Sequence, residues 1–163
     1  MSSIKVGIVL GSHNDLEVMK VAKTTLEELG IGAELRILSA HRTPEEATGY
    51  ARDAEGKGIQ VVIAAAGLAA HLAGAMVAHT ILPVIGVPLS AGTLGGLDSL
   101  LSTVQMPPGL PVATVAIGGA QNAALLAAAI LALSDPELNK KLKARRGDMR
   151  DKVLAADAKV RGA

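Results

Sequence analysis

Residues 4–38 read IKVGIVLGSHNDLEVMKVAKTTLEELGIGAELRIL, and the way this stretch divides decides the fold. An apolar run, Ile4 to Leu10, stops at Gly11. A segment of helical periodicity, Asp15 to Leu29, is closed by Gly30, and an alternating run, Ala33 to Leu38, follows. This is strand, helix, strand. A helix between two strands carries the chain back to the starting edge, so the strands pair in parallel through a right-handed crossover.

The same alternation continues outward. A helix begins at Pro44 and ends before Gly58, and Gln60 to Ala65 is a third strand. An alanine-rich helix spans Leu68 to Thr80, a fourth strand Pro83 to Val87, and a helix about Leu97 to Val104. A fifth strand, Val112 to Ile117, leads into a helix over Asn122 to Leu133. Strands 1, 3, 4 and 5 are almost continuously apolar, as strands covered by helices on both faces must be. Strand 2, with its Glu34-Leu35-Arg36-Ile37 alternation, suits a sheet edge. The expected fold is α/β: a three-layer α/β/α sandwich, flavodoxin-like, with a five-stranded parallel sheet of order 2-1-3-4-5. Winding reverses between strands 1 and 3 in that order, so a ligand crevice should open at their carboxyl ends. Three loops meet there: Gly11–Asp15, Ser39–Thr43 and Ala66–His71.

The length of 163 residues suits one domain, taken as 1–134, with a helical tail over 135–163. Ser134-Asp135-Pro136-Glu137 reads as a capping box, and a charged helix follows to about Ala156, with Gly147 as the place for a break. Leu138, Leu142, Met149 and Val153 form a thin apolar stripe. The tail packs either on its own domain or on a neighbouring subunit, and both readings fit. The body carries seven Lys/Arg against ten Asp/Glu, the tail nine against five. An acidic body whose only aromatic residue is Tyr50 argues against nucleic-acid binding. Absence of cysteine excludes disulfides, zinc–thiolate sites and thiol nucleophiles. No signal-peptide pattern opens the chain, and the longest apolar run, Ala123 to Leu133, is too short to span a bilayer. A cytoplasmic protein without membrane contact is expected. Strand 5 would be an apolar edge, which together with Ala/Gly-rich helices points to a homo-oligomer.

The chemistry concentrates in the second loop, Ser39-Ala40-His41-Arg42, followed by Thr43-Pro44-Glu45-Glu46. Thr43 as N-cap, Pro44 at the first helical position and Glu46 reaching back read as a capping box. Arg42 offers a planar cationic fork, Ser39 a hydroxyl and the helix its dipole, a combination suited to phosphate. His41 beside them suits proton transfer near neutral pH; the plain alternative is a loop histidine bonded to backbone. In the first loop, Gly11 permits a tight turn, and Ser12 and Asn14 precede a helix start that attracts anions. Asp15 would repel phosphate and serves either sugar hydroxyls or the helix cap. In the third loop, Ala64 to Gly74, small residues admit a flat ligand and make a dry pocket, though close helix–sheet packing needs them equally. His13 reads as an exposed loop residue and His79 as a helix C-terminal cation. The scattered histidines make no metal site, and no cofactor fingerprint occurs.

These residues resemble the bacterial class I N5-carboxyaminoimidazole ribonucleotide mutases of purine biosynthesis. The resemblance rests on Gly11-Ser12 with Asp15 and Met19, on Ser39-Ala40-His41-Arg42-Thr43-Pro44, and on Gly67 with Ala69-Ala70-His71-Leu72 and Gly74. It continues through Pro83-Val84-Ile85-Gly86-Val87-Pro88, Asp98-Ser99-Leu100, Val104-Gln105-Met106-Pro107, Gly109 with Pro111-Val112, and Asn122 to Ala127. It implies a cofactor-free carboxylate transfer from the exocyclic nitrogen of an aminoimidazole ribonucleotide to ring carbon 4. His41 would be the general acid/base; Arg42, Ser39 and Ser12 would hold the phosphate, with Asn14 able to donate to it, and Asp15 the ribose. His71 and the backbone of Gly67, Leu68, Ala69 and Ala70 would border the imidazole and carboxylate, with Ala40 and Leu72 completing the substrate site. The implied assembly is an octamer. The pattern usually has serine at Asn14, glycine at Leu68 and proline at Ala73; a glycine at position 68 points to a positive φ or to room for ligand. The nearest rival reaction is carboxylation of aminoimidazole ribonucleotide by free carbon dioxide. A non-catalytic nucleotide-binding module is disfavoured, because Gly11-Ser12 and Ala66-Gly67 stand where receiver domains need carboxylates.

Overall fold

A computed structural model describes residues 3–162. The chain forms two compact units, residues through Ala127 and residues from Ala128 onward. In the first, five parallel strands take the order β2-β1-β3-β4-β5: β1 (Ile4–Leu10), β2 (Gly32–Ile37), β3 (Val61–Gly67), β4 (Val84–Leu89) and β5 (Ala113–Thr114). The connecting helices are α1 (Leu16–Glu28), α2 (Pro44–Asp53), α3 (Leu72–Val77) and α4 (Leu97–Val104), and α5 (Ala120–Leu131) follows β5. The order is the flavodoxin-like one expected from the alternation of elements.

Val6, Ile8, Val9 and Leu10 of β1 and Val61, Val62, Ile63 and Ala65 of β3 have no exposed surface, so both faces of the central strands are covered. On one face Val9, Val62, Ala64 and Val84 pack with Ala47, Tyr50 and Ala51 of α2 and with Leu72, Ala73 and Met76 of α3. The edge strand β2 keeps its polar side, and Glu34 there accepts a 2.8 Å hydrogen bond from the Tyr50 hydroxyl. Burial and the Glu34 carboxylate push the phenol far above its ordinary range, so it stays a donor.

Several expected boundaries move, each for a physical reason. The alanine-rich helix does not start at Leu68: β3 runs on to Gly67, and Leu68 takes φ +55°, which no helix can include, so α3 is only Leu72–Val77. Strand 5 is two residues rather than six. Gly86 and Pro88 turn their carbonyls toward β5, accepting from Val115 N and Gly118 N, and proline has no N–H to continue the ladder on that side. A 3-10 turn over His13–Asp15 leads into α1, which starts one residue later than expected. Neither capping box forms as read. Thr43 is N-cap with Pro44 at the first position, but its hydroxyl turns back to Ser39 instead of capping α2.

The second unit contains the end of α5 and α6 (Pro136–Arg161). Asp135, not Ser134, caps α6, accepting from Leu138 N at 3.0 Å. Gly147 does not break this helix, which runs unbroken past Ala156 to Arg161.

Gly86 sits where β4 meets α4 and the chain entering β5. A Cβ there would lie 2.4 Å from Thr103 Cγ2 and 2.9 Å from Val112 Cγ1. Thr103 is buried and its hydroxyl is engaged with Ser99 O at 2.7 Å, so it has little freedom to yield. Gly86→Ala should therefore destabilise the fold by about 1–3 kcal/mol, the ordinary cost of overpacking, measured by urea unfolding against wild type.

Candidate active site

The loops at the carboxyl ends of β1, β2, β3 and β4 surround a cavity of about 470 Å³, within the usual range for small-ligand sites. Its wall holds Gly11, Ser12, Asn14 and Asp15 from the first loop and Ser39, Ala40, His41 and Arg42 from the second. Gly67, Leu68, Ala69, His71 and Leu72 come from the third. Of the residues expected from sequence, only Ala70 is not on the wall; it is buried behind it. Ala66 and Ala91 complete the lining. Ala91 escaped notice, although the glycines at 92, 95 and 96 mark a loop at the end of the strand beside β3. Among the described residues no three His, Cys, Asp or Glu side chains gather as a metal would need.

The second loop is closed on itself by reciprocal bonds. Ser39 N donates to Thr43 Oγ1 at 2.8 Å, Thr43 N donates to Ser39 O at 2.9 Å, and Arg42 N donates to Ser39 Oγ at 3.2 Å. A short hydrogen-bonded loop of this kind restricts the backbone that presents His41 and Arg42. The Arg42 guanidinium then crosses to the first loop, where Nη2 donates to Gly11 O at 3.0 Å. One donor anchors the fork, and the remaining N–H groups are left to face an anion in the cavity. Ser12 Oγ accepts from Asn14 N at 3.3 Å, which turns its hydroxyl hydrogen outward from the 3-10 turn before α1.

Asp15 shares this wall and is half-buried. Burial raises its pKa above the ordinary 3.8, and a hydrogen bond from the Ser12 backbone and the Arg42 charge offset only part of that effect. A carboxylate kept charged in such a place is costly to the fold. It makes no side-chain cap to α1, so the capping reading does not hold.

His41 and His71 come together on the cavity wall as a tilted ring pair, with centroids 5.6 Å apart and planes 31° apart. Both are exposed in the single chain, so the dry niche expected from the small residues is open on the imidazole side. The opposite side is tightly built. A Cβ on Gly67 would lie 2.9 Å from Ala91 Cβ and 3.3 Å from Leu89 O, so only glycine lets the loops after β3 and β4 meet. Ser99 of α4, fully buried, places its hydroxyl 2.8 Å from Leu89 O and 2.9 Å from Gly96 O, tying both ends of the 90–96 loop. Leu68 is the only non-glycine residue with positive φ among the described residues. That conformation costs a leucine about 1–2 kcal/mol. His13 is exposed and off the cavity wall, and His79 Nδ1 lies 2.9 Å from Ala75 O beyond α3.

The cavity thus has a polar end with hydroxyls, a guanidinium and a carboxylate, an apolar end of Ala, Gly and Leu, and two imidazoles between. A phosphorylated sugar carrying a flat base matches that division. Because the folded Asp15 holds its proton more tightly than an unfolded one, its ionisation removes stability as pH rises above about 3.8. Asp15→Asn should therefore melt higher than wild type at neutral pH, with the gap closing toward pH 3, in thermal scans across that interval.

A family model described as AIR carboxylase matches residues 5–152. The chain is 58% identical to the N5-carboxyaminoimidazole ribonucleotide mutase of Pyrococcus abyssi, over 90% of this chain and 84% of that one. It is 53% identical to the mutase of the same name from Mycobacterium tuberculosis, over 96% and 90%. Among solved structures, Treponema denticola PurE superposes with a TM-score of 0.87 at 30% identity, covering 94% of this chain and 96% of that one.

Proposed function

This chain belongs to the AIR carboxylase family, and on that premise we propose how its cavity works on a ribonucleotide. The activity is that of an N5-carboxyaminoimidazole ribonucleotide mutase, an isomerase of purine biosynthesis, in line with relatives identical at more than half of the aligned positions. The observation that carries the site assignment is the joining of the first two loops by the Arg42–Gly11 bond, with His41 next to it.

Arg42, Ser39, Ser12 and Asn14 hold the phosphate, and Asp15 accepts from the ribose hydroxyls. His71 and the backbone of Gly67 to Ala70 border the imidazole and the carboxylate, His41 stands beside the reacting atoms, and Ala40 and Leu72 fill the wall. The carbamate C–N bond breaks, the nitrogen takes a proton and carbon dioxide is released within the cavity. Ring carbon 4 attacks that carbon dioxide to form the new C–C bond, and its proton leaves to His41. The proton given to nitrogen equals the one taken from carbon, so one histidine returns to its starting state each turnover. No cofactor is needed for this cycle.

The chain assembles as a homo-octamer. Leu94, Leu97, Leu101 and Val104 form an exposed stripe along α4 and the turn before it, and Ile81 is almost fully exposed. Apolar surface of this kind is normally covered in an assembly. The domain comprises residues 1–134 and the tail, 135–163, docks on the same or a neighbouring subunit. Among the described residues no helix is long and apolar enough to cross a membrane. A cytoplasmic location suits an enzyme whose substrate is a charged phosphorylated metabolite, and the acidic body gives nucleic acid no purchase.

His41→Asn should lower turnover at least about 100-fold, the low end of general acid–base catalysis, while nucleotide binding by calorimetry stays near wild type. Arg42→Ala should instead raise KM roughly 10- to 100-fold, as loss of a charged hydrogen bond of about 1.5–3 kcal/mol predicts. Wild-type enzyme should convert the carbamate without added bicarbonate; turnover only of aminoimidazole ribonucleotide plus bicarbonate would overturn the mutase reading. Light scattering should give eight times the chain mass.

A further inference from the structure

Leu68 departs from two rules at once. It holds a left-handed backbone conformation that leucine avoids, and its side chain is 54% exposed instead of serving the core. Strain of this sort persists where the surroundings impose it, and it concentrates at functional positions. Here the surroundings are the cavity. Leu68 lines it between Gly67 and Ala69, and Ala70 N donates to Leu68 O at 2.8 Å, closing a tight turn that holds the residue at the rim. Across the rim is the 90–96 loop: a Cβ on Gly92 would lie 2.9 Å from Leu68 Cδ2, so the leucine rests directly on the Gly92 backbone. Two loops that leave neighbouring strands are thus bridged by one apolar side chain at the apolar end of the cavity.

The reaction gives that bridge a task. Carbon dioxide carries no net charge, so Arg42 and the helix dipoles hold it only weakly, and a closed apolar wall slows its escape from beside carbon 4. Gly67, Ala69 and Ala91 offer little side chain at the rim, and where the resembling pattern usually has glycine this chain places a leucine. We propose that Leu68 is the retention residue of this enzyme, a positioning residue whose side chain seals the apolar end between the loops after β3 and β4 and keeps the released carbon dioxide from escaping before recapture. The inference rests on the mutase reading of the site.

The test is isotopic wash-in. Unlabelled carbamate substrate is turned over at initial rate in ¹³C-bicarbonate with carbonic anhydrase, with the enzyme-free rate subtracted, and the ¹³C fraction of the C-carboxylated product is read by mass spectrometry. Wild type should incorporate little label. Leu68→Gly, which adopts positive φ freely and so should melt no lower than wild type, should raise the labelled fraction at least several-fold. Leu68→Met, similar in size and apolar, should restore most of the retention. An unchanged labelled fraction in Leu68→Gly overturns the proposal, as does a loss of activity and melting temperature together with no change in that fraction. Failure of wild-type enzyme to convert the carbamate without bicarbonate would sink the mutase reading itself, a result separate from the Leu68 comparison.

Discussion

Two neighbouring strands without a solvated face, β1 and β3, are the constraint on which the rest of the chain depends. With Val6, Ile8, Val9 and Leu10 beside Val61, Val62 and Ile63 and no exposed surface on any of them, helices must cover the sheet on both sides. Covering both sides obliges the chain to wind outward in two directions from this pair, to β2 one way and to β4 the other. The loops leaving β1 and β3 then diverge, and the gap between them becomes the cavity. Burial near 25 cal/mol per Å² of apolar surface is what holds this arrangement, and the polar groups are left to the loops.

Within the gap, the division of labour follows from which groups each loop can afford to expose. The first two loops are secured by hydrogen bonds, Ser39 with Thr43 and Arg42 with Gly11 O, so their polar side chains stay positioned without burial. The third and the 90–96 loop meet through apolar contact, Gly67 against Ala91 and Leu68 on Gly92, with the Ser99 hydroxyl hydrogen-bonded to Leu89 O behind them. Asp15 and Leu68 carry local costs on this wall, one as a carboxyl partly removed from water, the other as a backbone out of its preferred region.

Much of this was legible in the sequence because the physics involved is local or periodic. Almost continuously apolar runs at Ile4–Leu10 and Gln60–Ala65 read as buried parallel strands, and crossover handedness then suggested the sheet order. Ser39-Ala40-His41-Arg42 before Pro44 put a cation, an imidazole and a helix start at a strand's end, so the place of the second loop on the cavity was readable from residue types alone. A leucine where the resembling pattern has glycine pointed to an unusual backbone, and Leu68 at φ +55° bears that out.

What the sequence by itself determined, then, was the order of elements, the sheet and the placement of reactive residues at its carboxyl edge. It could not determine whom each hydroxyl would bond. Thr43 was read as a cap for α2 and instead closes its loop on Ser39, because a hydroxyl chooses among partners within about 3 Å that only the folded backbone brings near. It could not place Ala91 on the cavity or show that Pro88 stops β5 at two residues, since both depend on contacts between segments distant in the chain. Periodicity reports which face of an element is buried; the partners on that face are decided by three-dimensional packing, and that is where the tertiary structure alone has authority.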